Sequence, residues 1–116
     1  NNFKDLHTKA EKAIYTQGAA FLNILAPCPR GWGYEPSDLM DICRAAVDSC
    51  YWPLYEVVDG KWILSYKPSN KLPIEEFLRP QRRFRHLFKP ENEELIGEFQ
   101  KEVDRRWEGL RERCGS

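Results

Sequence analysis

Apolar positions along the chain change their spacing several times, and each change marks a new element. From Phe3 to Tyr15, the residues Phe3, Leu6, Ala10, Ala13 and Ile14 recur at helical spacing before Gly18, which predicts a first amphipathic helix. Ala19 to Ala26 is instead nearly continuous in apolar residues, broken by Asn23 and stopped by Pro27. Such a short unbroken run predicts a buried strand of the parallel type. Ser37, following Pro36, suits a helix N-cap, with Asp38 and Asp41 in the first turn. Leu39, Ile42, Cys43, Ala46, Val47 and Cys50 then predict one apolar face of a second helix. Helix, buried strand, loop and helix in this order predict an open α/β sheet.

Beyond Cys50 the rhythm changes. In "WPLYEVVDGKWILSY" two strand-like runs flank Asp59-Gly60, a strong hairpin signal. The Trp52, Tyr55 and Trp62 rings there are read as a sheet face packed against the main domain rather than as a stacking platform. "KPSNKLPIEEFLRPQRRFRHLFKP" follows, with four prolines in 24 residues, a short helix after Pro73 and a basic cluster. Its composition predicts a segment running over a surface, its own or a partner's. Glu91 to Arg113 closes the chain as a charged amphipathic helix, with Leu95, Ile96, Phe99, Val103, Trp107 and Leu110 on one side and pairs such as Glu102 with Arg106 on the other.

Composition narrows the function classes. A chain of 116 residues supports one domain with a modest core. Its 18 basic and 18 acidic residues balance, so no net field argues for nucleic acid or an anionic membrane. The longest apolar stretch, Gly18 to Pro27, is well short of the ~20 residues that span a bilayer, and the expected location is the cytoplasm. The first residue is Asn1 rather than methionine, which leads to the expectation that the chain is a piece of something longer.

Candidate chemistry gathers at "FLNILAPCPRGWGYEPSD", where Cys28 stands between two prolines at the end of the apolar run. Functional groups of open α/β sheets collect at such strand ends. Pro27 and Pro29 stiffen the loop, while Gly31 and Gly33 permit a close approach or positive φ. Cys28 can be read as a small apolar residue under a turn, as a nucleophile, or as a ligand for a soft metal. A nucleophile needs a general base, and the only histidines are His7, on a polar helix face, and His86, in the basic cluster. An iron-sulfur cluster takes four thiolates. Cys43, Cys50 and Cys114 lack metal-site spacing and are read as reduced core or incidental residues, so a cluster would need three companions from outside these residues. "RPQRRFRHLFK" carries five Arg and Lys residues among Phe84 and Phe88; it could stack single-stranded nucleic acid, but is read as a solvated or subunit-packed face.

Taken together, "NNFKDLHTKAEKAI", "APCPRGWGYEPS", "WPLYEVVDGKW", "LSYKP", "KLPIEEFLRPQRRFRHL" and "FQKEVDRRWEGL" resemble, in order and over essentially the whole chain, the C-terminal part of the beta subunit of 2-oxoacid:ferredoxin oxidoreductases, the pyruvate synthase type above all. The resemblance implies a thiamine-diphosphate-binding α/β domain of open parallel-sheet type over residues 1–51. Residues 52–116 would form a C-terminal extension of hairpin, extended basic segment and terminal helix. It further implies oxidative decarboxylation of a 2-oxoacid, pyruvate first, with coenzyme A as acyl acceptor and a 4Fe-4S cluster passing electrons to ferredoxin. Cys28 maps onto the fourth cluster ligand, the other three lying earlier in the subunit. Gly31, Trp32 and Gly33 would surround it or simply form a turn. Magnesium and diphosphate would be held by a Gly-Asp-Gly segment that does not occur here, so no catalytic residue is assigned within the chain. The partners implied are the other subunits and ferredoxin; the competing class is a non-catalytic interaction module binding through the basic aromatic strip.

Overall fold

The computed structural model describes residues 2–116. Five helices and one hairpin follow one another as α1 (Phe3–Tyr15), α2 (Pro29–Trp32), α3 (Leu39–Asp48), β1 (Tyr55–Val58), β2 (Lys61–Leu64), α4 (Ile74–Leu78) and α5 (Glu93–Arg113), with 3-10 turns at Pro36–Asp38, Arg82–Phe88 and Pro90–Asn92. The architecture is helical with one small antiparallel sheet.

The core forms where three helical faces meet. Ile42 and Ala46 come from α3, Ile74, Phe77 and Leu78 from α4, and Val103, Trp107 and Leu110 from α5, joined by Tyr34 and Cys50. Phe77 is fully buried at the centre, stacked on Tyr51 at 4.5 Å between centroids and set edge-to-face with Trp32 at 6.0 Å. Polar groups tie these layers where backbone would otherwise be orphaned. The Gln100 Oε1 accepts from the Ile74 N–H at 2.7 Å, and the Lys71 ammonium pairs with Asp104. Leu72 N–H donates to the Asp48 carbonyl at 2.9 Å, holding the chain before α4 against α3.

The hairpin follows the sequence closely. Tyr55 pairs with Leu64 and Val58 with Lys61, and both turn residues have positive φ, 50° at Asp59 and 75° at Gly60, as a two-residue type I′ turn requires. Tyr55 stacks on Trp62 at 5.5 Å, and the Arg113 guanidinium lies over Trp62 at 5.1 Å, so the aromatic face packs on the end of α5. Helix α1 has the predicted limits, and α5 begins two residues later than expected, after the Pro90 turn. The Glu102 carboxylate accepts from the predicted Arg106 and also from Arg105, which holds its pKa down at about 2.

Four expectations are corrected. Ala19 to Ala26 is not a strand: it has no ladder partner among the described residues, and Phe21, Leu22 and Ile24 are exposed. A single extended segment leaves its N–H and C=O groups without a ladder, and no parallel sheet forms here. Ser37 lies inside a 3-10 turn begun by Glu35 and does not cap α3. Cys50 lies beyond the end of α3, with φ of 61°, and reaches the core from there. Finally, the proline-rich basic segment is not simply laid over a surface. It contributes the most buried residues of the chain, because Pro73 starts α4 and turns Ile74, Phe77 and Leu78 inward, and Gln81 follows them.

The radius of gyration, 15.9 Å, exceeds the roughly 13 Å of a compact chain of this size. The excess fits the N-terminal segment: α1 buries no residue, and a Lys12–Glu56 ion pair of 2.5 Å is its tie to the hairpin.

Candidate functional site around Cys28

Cys28 is exposed and takes the N-cap position of α2, a single turn started by Pro29 and ended by Gly33 at φ 75°. Its extended backbone is what a residue before proline adopts. Proline at the first helical position loses nothing by lacking an N–H, so Cys28-Pro29 is a sound helix start. The Gly31 N–H donates to the Cys28 Sγ at 3.4 Å, and the Trp32 N–H to the Cys28 carbonyl at 2.9 Å. The thiol therefore carries one backbone donor and faces outward.

The loop is fastened on both sides of this turn. Before it, the Tyr34 hydroxyl donates to the Pro27 carbonyl at 2.9 Å. Burial, with smaller contributions from the neighbouring Cys43 and Cys28, raises the Tyr34 pKa, so the phenol stays protonated and donating. After it, the Arg82 N–H donates to the Gly33 carbonyl at 2.9 Å. A Cβ on Gly33 would lie 2.8 Å from the Arg82 Cβ, so this crossing and the positive φ both require glycine. Trp32 meets Phe77 edge-to-face, and the Arg83 guanidinium lies over its ring at 3.9 Å. Arg83 is oriented by donating from Nε to the Gln81 Oε1 at 2.7 Å, and the buried Gln81 in turn donates to the Phe77 carbonyl at 2.5 Å.

The structure thus brings Gly31, Trp32 and Gly33 together with Cys28, as read from the sequence, and adds Tyr34, Gln81, Arg82 and Arg83, which that reading did not connect to the loop. The alternation of cation and ring in "QRRF" is the signal the sequence offers; it suggests an outward-facing strip, whereas the Phe84 and Phe88 rings are engaged within the chain. Arg79 lies over Phe88 at 4.4 Å, and Phe84 meets Phe99 and Arg83, so the strip's aromatics are already engaged within the chain. The other cysteines do not join Cys28. Cys50 is buried, which pushes its thiol up to about 11, and Cys43 and Cys114 are half-buried. His7 and His86 are exposed and away from the loop's bonds. Among the described residues, no group of three or more His, Cys, Asp or Glu side chains could hold a metal ion.

With this geometry in view, the relatives are informative. Pyruvate synthase subunit PorB of Thermotoga maritima is 43% identical over 107 residues, covering 91% of this chain and 33% of the relative. The same subunit of Methanocaldococcus jannaschii is 39% identical, covering 87% of this chain and 33% of the relative. The chain belongs with the 2-oxoacid:ferredoxin oxidoreductase beta subunits. A ketoisovalerate oxidoreductase subunit VorB of Pyrococcus furiosus, 37% identical over 93% of this chain, widens that kinship beyond pyruvate. The chain spans about a third of the length of the beta-subunit relatives it matches. No family model matches it. No helix among the described residues is long and apolar enough to cross a membrane.

Proposed function

We propose that this chain forms part of the beta subunit of a cytoplasmic enzyme that oxidatively decarboxylates a 2-oxoacid, pyruvate first, with coenzyme A, and passes electrons through a 4Fe-4S cluster to ferredoxin. Thiamine diphosphate and magnesium belong, on this reading, to segments outside these residues. Residues 1–51 continue the thiamine-binding domain and 52–116 form its extension. The exposed apolar run from Ala19 to Ala26, which has no strand beside it here, supports a sheet completed by other segments.

The observation that carries the reading is the outward, backbone-hydrogen-bonded Cys28 thiol on a loop fixed at Tyr34 and Gly33. The donor set fits one cluster ligand and no more, since a 4Fe-4S cluster takes four thiolates and the other three cysteines are wholly or half buried. When bound, such a cluster supplies transfer of single electrons. Cys28 would hold one iron through Sγ, and the Gly31 N–H would keep its bond to that sulfur, lowering the negative charge felt there. Trp32 and Tyr34, packed on the core, keep the loop from shifting.

Iron, acid-labile sulfide and visible absorption of the complete, anaerobically prepared subunit test this, comparing wild type with Cys28→Ser. Loss of the cluster signal in the variant is the expected result. An undiminished cluster in Cys28→Ser removes Cys28 from the ligand set, and an iron-free wild type would favour the interaction module instead.

A further inference from the structure

Arg83 differs from the five arginines of this chain that form ion pairs among the described residues. Arg44, Arg79, Arg105, Arg106 and Arg111 each pair with a carboxylate within one turn of their own helix. Among the described residues Arg83 has no carboxylate partner, although it is held as firmly as any of them. Gln81 takes its Nε, and the Trp32 and Phe84 rings take its face at 3.9 and 4.5 Å. A guanidinium presents a rigid planar fork. With Nε occupied, the two terminal nitrogens have no acceptor among the described residues. The charge is also tied to the Cys28 turn: Trp32, on which it rests, donates its N–H to the Cys28 carbonyl, and the adjoining Arg82 N–H holds Gly33.

We propose that Arg83 is a positioning residue for the Cys28 loop and the fixed positive charge that favours the reduced state of a cluster ligated there, a step that rests on the reading of Cys28 as a ligand. An oriented cation without an internal counter-ion exerts its field on the nearest anionic group, and reduction of a thiolate-bound cluster adds one negative charge. The stacking on Trp32 holds that charge beside the Cys28 turn. Arg85 carries the same charge in the same 3-10 turn, but no ring or side-chain acceptor holds it among the described residues. It is the matched control for a general surface-charge effect.

The test is a redox titration of the complete, anaerobically prepared subunit, followed by electron paramagnetic resonance and paired with iron analysis, in wild type, Arg83→Gln, Arg83→Lys, Arg85→Gln and Cys28→Ser. The expected result is a full iron content but a lower midpoint potential in Arg83→Gln, recovery of most of that shift in Arg83→Lys, and a wild-type potential in Arg85→Gln. A wild-type potential in Arg83→Gln, or an equal shift in Arg85→Gln, overturns the inference while leaving the Cys28 reading intact. Should Arg83→Gln fail to take up iron, Arg83→Lys decides: iron retained there supports the role of the charge, and iron lost there overturns it. Full iron in Cys28→Ser would instead remove the reading on which the inference rests, and the inference with it.

Discussion

The two ends of this chain have similar apolar patterns and opposite fates. Helix α5 and helix α1 both repeat apolar residues at helical spacing, yet α5 buries Val103, Trp107 and Leu110 while α1 buries nothing. Phe3, Ile14, Tyr15 and Phe21 are each more than 70% exposed, whereas Ile74, Phe77 and Leu78 are fully covered. The difference lies in what each face meets. Those of α3, α4 and α5 meet one another, whereas α1 buries no residue and is tied to the hairpin through Lys12 and Glu56, and from the run after it Leu25 packs against the core. Periodicity specifies which face wants burial, and burial itself needs a second surface. Cys28 stands at the seam, with the open N-terminal segment before it and a turn bolted to the core after it.

The sharpest way to break this comparison is at the centre of the covered half. Phe77→Ala removes the ring shared by Tyr51 and Trp32 and opens a cavity under the Cys28 turn. The expected cost is about 3 to 5 kcal/mol, the range for a buried aromatic truncated to alanine. Urea unfolding monitored by tryptophan fluorescence measures it. A loss below about 1 kcal/mol would mean that the three helices do not form one cooperative core.

Much of this was legible in the sequence, and the exceptions share a cause. The Asp59-Gly60 hairpin, α1 and the length of α5 followed from local signals, because turn chemistry and helical period act within a few residues. The stiff loop under Cys28 was legible from its two prolines, but the exposure of its thiol was not, since a small apolar residue under a turn fits the same residues. The contacts that hold the loop were not: Arg82 and Arg83 lie some fifty residues further along, and only the fold brings them to Gly33 and Trp32. The run from Ala19 to Ala26 shows the converse. Its composition asks for a strand, but a strand needs a neighbour to bond to, and none lies among the described residues.

A smaller effect is expected at the seam. Gly33→Ala must place a side chain at φ 75° and move the Arg82 Cβ away from 2.8 Å. The backbone conformation alone costs about 1 to 2 kcal/mol for an L-residue. If the Cys28 turn belongs to the covered half, the variant should lower global stability by at least that much. It should also speed hydrogen exchange at the Arg82 amide, whose acceptor is the Gly33 carbonyl. Unchanged exchange at Arg82 would assign the turn to the open half instead.

The least effect is expected in the open half, and there its size in two settings is the informative quantity. Ile14 is 77% exposed, so Ile14→Ser should change the unfolding free energy of this chain by no more than about 0.5 kcal/mol. The same substitution in the complete subunit reads out whether other segments cover α1. A covered isoleucine contributes about 1.5 to 3 kcal/mol by burial, and that amount should then be lost. Equal and negligible effects in both settings would leave α1 a solvated helix that other segments do not cover. A large loss confined to the complete subunit would show that the apolar pattern at this end is meant for a surface this chain does not carry.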